Sequence, residues 1–148
     1  MGSELIGLDV FNNPVEFGAR LLILLSELKC ELGMDELVFF DYAMIYSADF
    51  DDKESVHPSL PHRLAELVRR REDVLDAVTL FISKSLITSR VDKSGISYSA
   101  TPQGCFFVAN LTTQYHMKIK RQASWVRVSK ARLGEEMQRI YSVEGAAN

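Results

Sequence analysis

Leu86-Ile87-Thr88-Ser89-Arg90-Val91-Asp92-Lys93-Ser94-Gly95-Ile96-Ser97-Tyr98-Ser99-Ala100 is the stretch on which the fold turns. Two β-prone runs flank the turn Asp92-Lys93-Ser94-Gly95, and Ile87, Val91, Ile96 and Tyr98 are their apolar members, so the segment predicts a short hairpin. Everything around it reads as helix. Downstream, Thr101-Pro102 caps a helix carrying Phe106, Phe107, Val108 and Leu111, and a last long helix from about Tyr115 carries Ile119, Ala123, Val126 and Leu133.

Upstream, Asn13-Pro14 with Glu16 three residues after the cap opens a first helix running to about Cys30, with a break at Gly33. Val15, Ala19, Leu22, Leu25 and Leu28 give it a broad apolar face. A second, aromatic-rich helix starts near Asp35 and ends among Asp49, Asp51 and Asp52. His57 to Pro61 is a two-proline connector, after which Arg63 to Leu86 is helical in pattern. One continuous helix there would set Arg71 in the apolar stripe between Leu67 and Leu75, which favours two short helices joined at Arg69 to Asp73. The resulting expectation is a mainly α protein with a small β-hairpin: a single winged helix-turn-helix domain over 1–148 with additional N- and C-terminal helices, its core at about 12–133 and a flexible tail from about 142.

The chain has 148 residues, 47% of them hydrophobic and 25% charged, enough for a core of its own. Its net charge of −3 conceals a strong asymmetry: residues 1–54 carry twelve acids and three bases, whereas residues 93–134 carry seven bases and no acid. Such a chain either presents surfaces of opposite sign or pairs its two ends internally. The apolar runs are far shorter than the roughly 20 residues that cross a bilayer. No basic and apolar leader opens the sequence, so a cytoplasmic protein without a membrane partner is expected. Cys30 and Cys105 fall in apolar helical contexts and read as small core hydrophobes.

The motifs of catalysis are missing. No glycine-rich phosphate loop, Gly-x-Ser-x-Gly elbow or His-Glu-x-x-His occurs, and His57, His62 and His116 stand apart. Asp49, Asp51 and Asp52 cannot open an EF-hand, because Glu54 and Leu60 stand where a glycine and a glutamate are needed. No cofactor, metal or catalytic residue is assigned. What remains is charge. Arg69, Arg70 and the acids Asp49, Asp51 and Asp52 are candidate partner-interface residues, and Arg71, nearest the apolar stripe, should pair with a carboxylate. Lys118, Lys120, Arg121, Arg127 and Lys130 are candidates for non-specific contact with DNA phosphates or an acidic partner. If a helix begins at Glu72, then Glu72, Asp73 and Asp76 occupy the edge that reads bases in a helix-turn-helix, which disfavours operator recognition.

Phe11-Asn12-Asn13-Pro14, Phe40-Asp41-Tyr42, Tyr46-Ser47-Ala48-Asp49, His57-Pro58-Ser59-Leu60-Pro61, Glu66-Leu67, Arg69-Arg70 and Trp125-Val126 together resemble the middle components of bacterial ABC-three-component systems, which include the accessory subunit of Lamassu-type anti-phage defence. The resemblance runs from about Val10 to about Leu133. It implies a small winged-helix adaptor that joins an SMC- or Rad50-like ATPase to an effector, commonly a nuclease, and it supplies no catalytic residues. The alternative reading is a winged-helix transcription regulator of the MarR or PadR kind.

Overall fold

The computed structural model describes residues 13–50 and 60–146. Helix α1 spans Pro14–Leu28, strand β1 Leu32–Gly33, α2 Met34–Ile45, a 3-10 turn Ser47–Phe50, α3 Leu60–Ser83, β2 Ile87–Asp92, β3 Gly95–Ala100, α4 Pro102–Ala109, α5 Gln114–Val128 and α6 Lys130–Ala146. The described residues are mainly helical with one small antiparallel sheet of order β1-β3-β2.

Local chemistry explains the boundaries. Asn13 Oδ1 accepts the Glu16 backbone N–H at 2.8 Å, satisfying one of the donors that a helix start leaves orphaned. The stop comes earlier than Gly33 and from another residue: Lys29 takes the left-handed conformation at φ 54° and returns its N–H to the Leu25 carbonyl. Gly33 instead caps α2, where the Glu36 carboxylate accepts its N–H at 2.9 Å. The hairpin has the expected turn, pairing Asp92 with Gly95 and Ile87 with Ala100. Gly95 sits at φ 117°, where glycine is unstrained, and the Asp92 carboxylate accepts from the Ser94 N–H and hydroxyl. Leu32 and Gly33 add the third strand by pairing with Tyr98 and Ser97, a two-residue strand too short for any periodicity to announce.

α1 is the central element. Phe17 and the run from Leu21 to Leu25 are buried against α3, α5 and α4, with Leu37, Phe39, Phe40 and Met44 of α2 beside them. Gly18 lets α3 come close, since a Cβ there would lie 2.3 Å from the Phe81 ring.

Several expectations need correction. The break at Arg69 to Asp73 does not occur, and α3 is continuous over 24 residues. Its buried stripe runs through Leu67, Val74, Ala77, Val78 and Phe81, leaving Val68 and Leu75 exposed. The helical spacing of that stripe puts Arg70, not Arg71, in its gap. With the helix starting at Leu60, the acids Glu72, Asp73 and Asp76 lie mid-helix on its exposed side rather than at a leading edge.

The last long helix is in fact two. Ser129 leaves helical geometry at φ −97° and ψ 12°, ending α5 with its N–H on the Trp125 carbonyl and starting α6 by accepting from the Leu133 N–H. Leu133 and Ile140 of α6 are both buried, so the core extends beyond residue 133 and the helix continues to Ala146. Finally, Cys105 is exposed rather than packed; it and the half-buried Cys30 are free thiols.

The stretch from Tyr46 to Ser59 separates α2 from α3, far more chain than the three or four residues that join a helix-turn-helix pair. No described helix is long and apolar enough to cross a membrane.

Candidate functional site

Arg70 in the α3 stripe is tolerable because of what faces it. Asp41 on α2 is wholly buried and accepts from one edge of the Arg20 guanidinium on α1, Nε at 3.0 Å and Nη2 at 2.9 Å, together with Arg70 Nη1 at 2.9 Å. One carboxylate thus pins three helices together. Arg20 also lies 4.2 Å over the Phe17 ring. Burial by itself weakens the protonated form of Arg20, but the Asp41 charge and hydrogen bond, aided by Tyr115, outweigh it and hold the guanidinium more tightly charged than usual. Arg70 further donates through Nε to Glu66 at 3.3 Å, and Glu66 binds Arg69 on its other side. The hydrogen bond from Arg69 outweighs the opposing effect of burial and, with the charges of Arg69 and Arg70 behind it, pulls the Glu66 carboxyl below its ordinary value.

The arginine cluster is therefore divided differently from its sequence reading. Arg71 pairs with Asp35 of α2, as its need for a carboxylate suggested, although it is exposed. Arg69 is 72% exposed and bound to Glu66 on its own helix, whereas Arg70 is only 12% exposed and belongs to the interior. Asp49 falls in the 3-10 turn Ser47–Phe50, and Asp51, Asp52 and His57 lie outside the described residues.

The same logic absorbs much of the charge asymmetry. Acids of the first third meet bases or histidine from later in the chain: Glu16 with His116 at 2.9 Å, Glu27 with Arg127 at 2.8 Å, Glu31 with Arg90 at 2.8 Å, Asp35 with Arg71 and Asp41 with Arg70. Internal pairing thus takes up these five acids, but the arginines they meet lie mostly upstream of the basic stretch 93–134, where Lys118 and Arg121 stay exposed.

The five bases assigned to phosphate contact do not share one face. Lys118 and Lys120 are about 200° apart around α5, as two residues at 100° each must be. Lys118 borders a concave pocket beside Arg70, Arg127 is committed to Glu27, and Lys130 directs its ammonium at Cys30 Sγ, 3.7 Å away. Lys120 is half-buried, and Arg121 is exposed.

A feature the sequence reading missed lies on α4. Phe106 is 73% exposed, and with Leu86, Pro102, Phe107 and Leu111 it forms an almost wholly apolar groove of about 760 Å3. A signal was present in the adjacent Phe106-Phe107 pair, whose side chains leave the helix about 100° apart and so point in different directions. α4 is held down by Gly104, where a Cβ would meet the Leu86 carbonyl oxygen at 2.2 Å, and by Thr101, which caps the helix at Gly104 N and donates to the Ser85 carbonyl. Among the described residues no three His, Cys, Asp or Glu side chains gather as a metal site.

The fold and its surfaces thus define a small helical protein that ties its helices together with ion pairs around Asp41 and between α1 and α5 while leaving an apolar groove open beside a three-stranded sheet. The chain belongs to the ABC-three component (ABC-3C) system Middle Component 2 family, which it matches over residues 10–143. No curated protein and no solved structure matches it.

Proposed function

We propose that the chain is a non-catalytic adaptor of a defence complex akin to the Lamassu type, joining an SMC- or Rad50-like ATPase subunit to a nuclease-like effector in the cytoplasm. Membership in a middle-component family supports an accessory role within a multi-component assembly. The observation that carries the docking half of the reading is the groove around Phe106. A phenyl ring left 73% in water is costly in isolation and is the kind of anchor that interfaces bury. The winged helix-turn-helix reading is supported by the order α1, β1, α2, α3, β2, β3 with β3 central in the sheet, in which β2 and β3 form the wing. DNA contact, where it occurs, is made to phosphates by exposed bases such as Lys118 and Arg121, without base readout.

Co-expression with an SMC- or Rad50-like ATPase taken from the genes that flank its own tests the proposal. The two co-elute from a size-exclusion column, and Phe106→Glu abolishes co-elution while leaving the melting temperature of the isolated subunit unchanged. A wild-type chain that elutes alone contradicts the adaptor reading.

A further inference from the structure

A second concavity, between α1, α2, α3 and α5, has a different chemistry. It encloses about 380 Å3, within the range of small-ligand sites. Its rim brings Arg20, Arg70 and Lys118 together, and Tyr46, Ile45 and Ile119 form an apolar and aromatic wall.

Its charges are unequal. The carboxylates nearest these three cations are Asp41, whose two oxygens accept from both arginines, and Glu66, which is shared with Arg69. Glu16, the other acid close to Tyr115 in the pocket wall, is turned to His116. Lys118 has no ion pair among the described residues. Positive charge is therefore in excess at a partly dehydrated concave surface, where an anion gains more than it would on an open one.

The cations are also preorganised. Asp41 and Glu66 hold Arg70 through Nη1 and Nε, so its orientation is set before any ligand arrives and its Nη2 remains without a protein acceptor among the described residues. Tyr46, 44% exposed, packs 5.0 Å from the Tyr42 ring and has the Arg70 guanidinium 5.7 Å from its own centroid, so the part of its ring left in solvent adjoins that cation and can meet a flat group beside it.

We infer that this pocket binds the phosphate of a 5′-nucleotide, with Arg70 and Lys118 on the phosphate and the base against Tyr46. The inference stands independently of the adaptor reading. A free mononucleotide and the 5′-phosphorylated end of a DNA strand present the same chemistry, and the experiment separates them.

The full chain, labelled with 15N, is titrated with inorganic phosphate, each of the four ribonucleoside 5′-monophosphates, adenosine, and a short single-stranded oligonucleotide with and without a 5′-phosphate. Saturable shifts are expected at Tyr46, Lys118 and Gln122, for at least one nucleotide or the phosphorylated oligonucleotide, with a Kd below about 1 mM. Loss of the phosphate weakens binding about tenfold or more, as does Lys118→Gln, each removing a charge-assisted contact. Tyr46→Ala weakens nucleotide binding but not that of inorganic phosphate. Arg127→Gln, a base outside the pocket, changes nothing. A mononucleotide that outcompetes the oligonucleotide identifies a small metabolite, and the reverse order identifies a strand end. Absence of saturable binding overturns the inference, as does equal weakening by Lys118→Gln and Arg127→Gln, or nucleotides that bind no tighter than inorganic phosphate.

Discussion

Replacing two adjacent arginines separately tests whether α3 is held through its charged stripe. Arg70→Glu puts a carboxylate against Asp41, a wholly buried acid that accepts Arg70 Nη1 at 2.9 Å. Removing one partner of a buried pair costs about 3–5 kcal/mol. Arg20 still neutralises Asp41 in the variant, which reduces the loss, while the new like-charge contact increases it, so about 3 kcal/mol is a fair central value. For a chain of this size each kcal/mol moves the melting temperature by about 2–4 °C, giving a drop of about 6–12 °C. Arg69→Glu, at a side chain 72% exposed and bound to Glu66 on its own helix, is screened by solvent and lowers the melting temperature by less than about 4 °C. Both variants change net charge by the same amount, so general electrostatics cannot separate them. Differential scanning calorimetry at neutral pH and moderate salt measures the contrast. Equal melting temperatures for the two variants would refute the reasoning and return Arg70 to the solvent face.

Gly104→Ala should destabilise by more than about 1 kcal/mol, because the added Cβ meets a backbone carbonyl that cannot rotate away; urea unfolding with an unchanged midpoint would contradict the close packing of α4 on the sheet. Burial pushes the Tyr141 hydroxyl up to about 12, from an ordinary value of 10.0. Since the folded value lies above the unfolded one, stability is intact below pH 10 and is lost as pH rises through 12. A titration followed at 295 nm should show a late-ionising tyrosine that Tyr141→Phe removes, and uniform ionisation near the ordinary value would contradict its burial. Binding of the isolated subunit to unrelated duplexes should be weak, with Kd nearer 0.1 mM than 1 μM on the usual scale of about 10⁻⁴–10⁻⁶ M, and steeply weakened by salt. Fluorescence anisotropy checks this, and a tight, salt-resistant preference for one duplex would favour the transcription-regulator reading.

Elements whose cause is local were legible in the sequence. The Asn13 cap, the Asp92 to Gly95 turn and the Thr101-Pro102 start each depend on residues within four positions of one another, and each forms. The unity of α3 depends on Asp41, 29 residues upstream of Arg70, and hydrophobic periodicity has no means of recognising that a buried arginine is matched. The same blindness hid the Arg20 and Asp41 pair, because each sits singly within an apolar helix and reads as an interruption. The five bases on α5 and α6 were grouped because counting charge ignores the turn between neighbours, such as Lys118 and Lys120, and the Glu27 carboxylate that claims Arg127. Phe106 was visible as an apolar residue, but its exposure follows from how Gly104 and Thr101 seat α4, a tertiary fact.

The adaptor reading is tested most directly by hydrogen exchange on the subunit, alone and after mixing with the proposed SMC- or Rad50-like ATPase. The account predicts new protection in α4, from Pro102 to Ala109, and in the adjoining Leu111, with little change at Asp41 and the other buried residues of α2. Full assembly with no added protection in α4, or protection confined to the far face of α3 around Glu72 and Asp76, would contradict it.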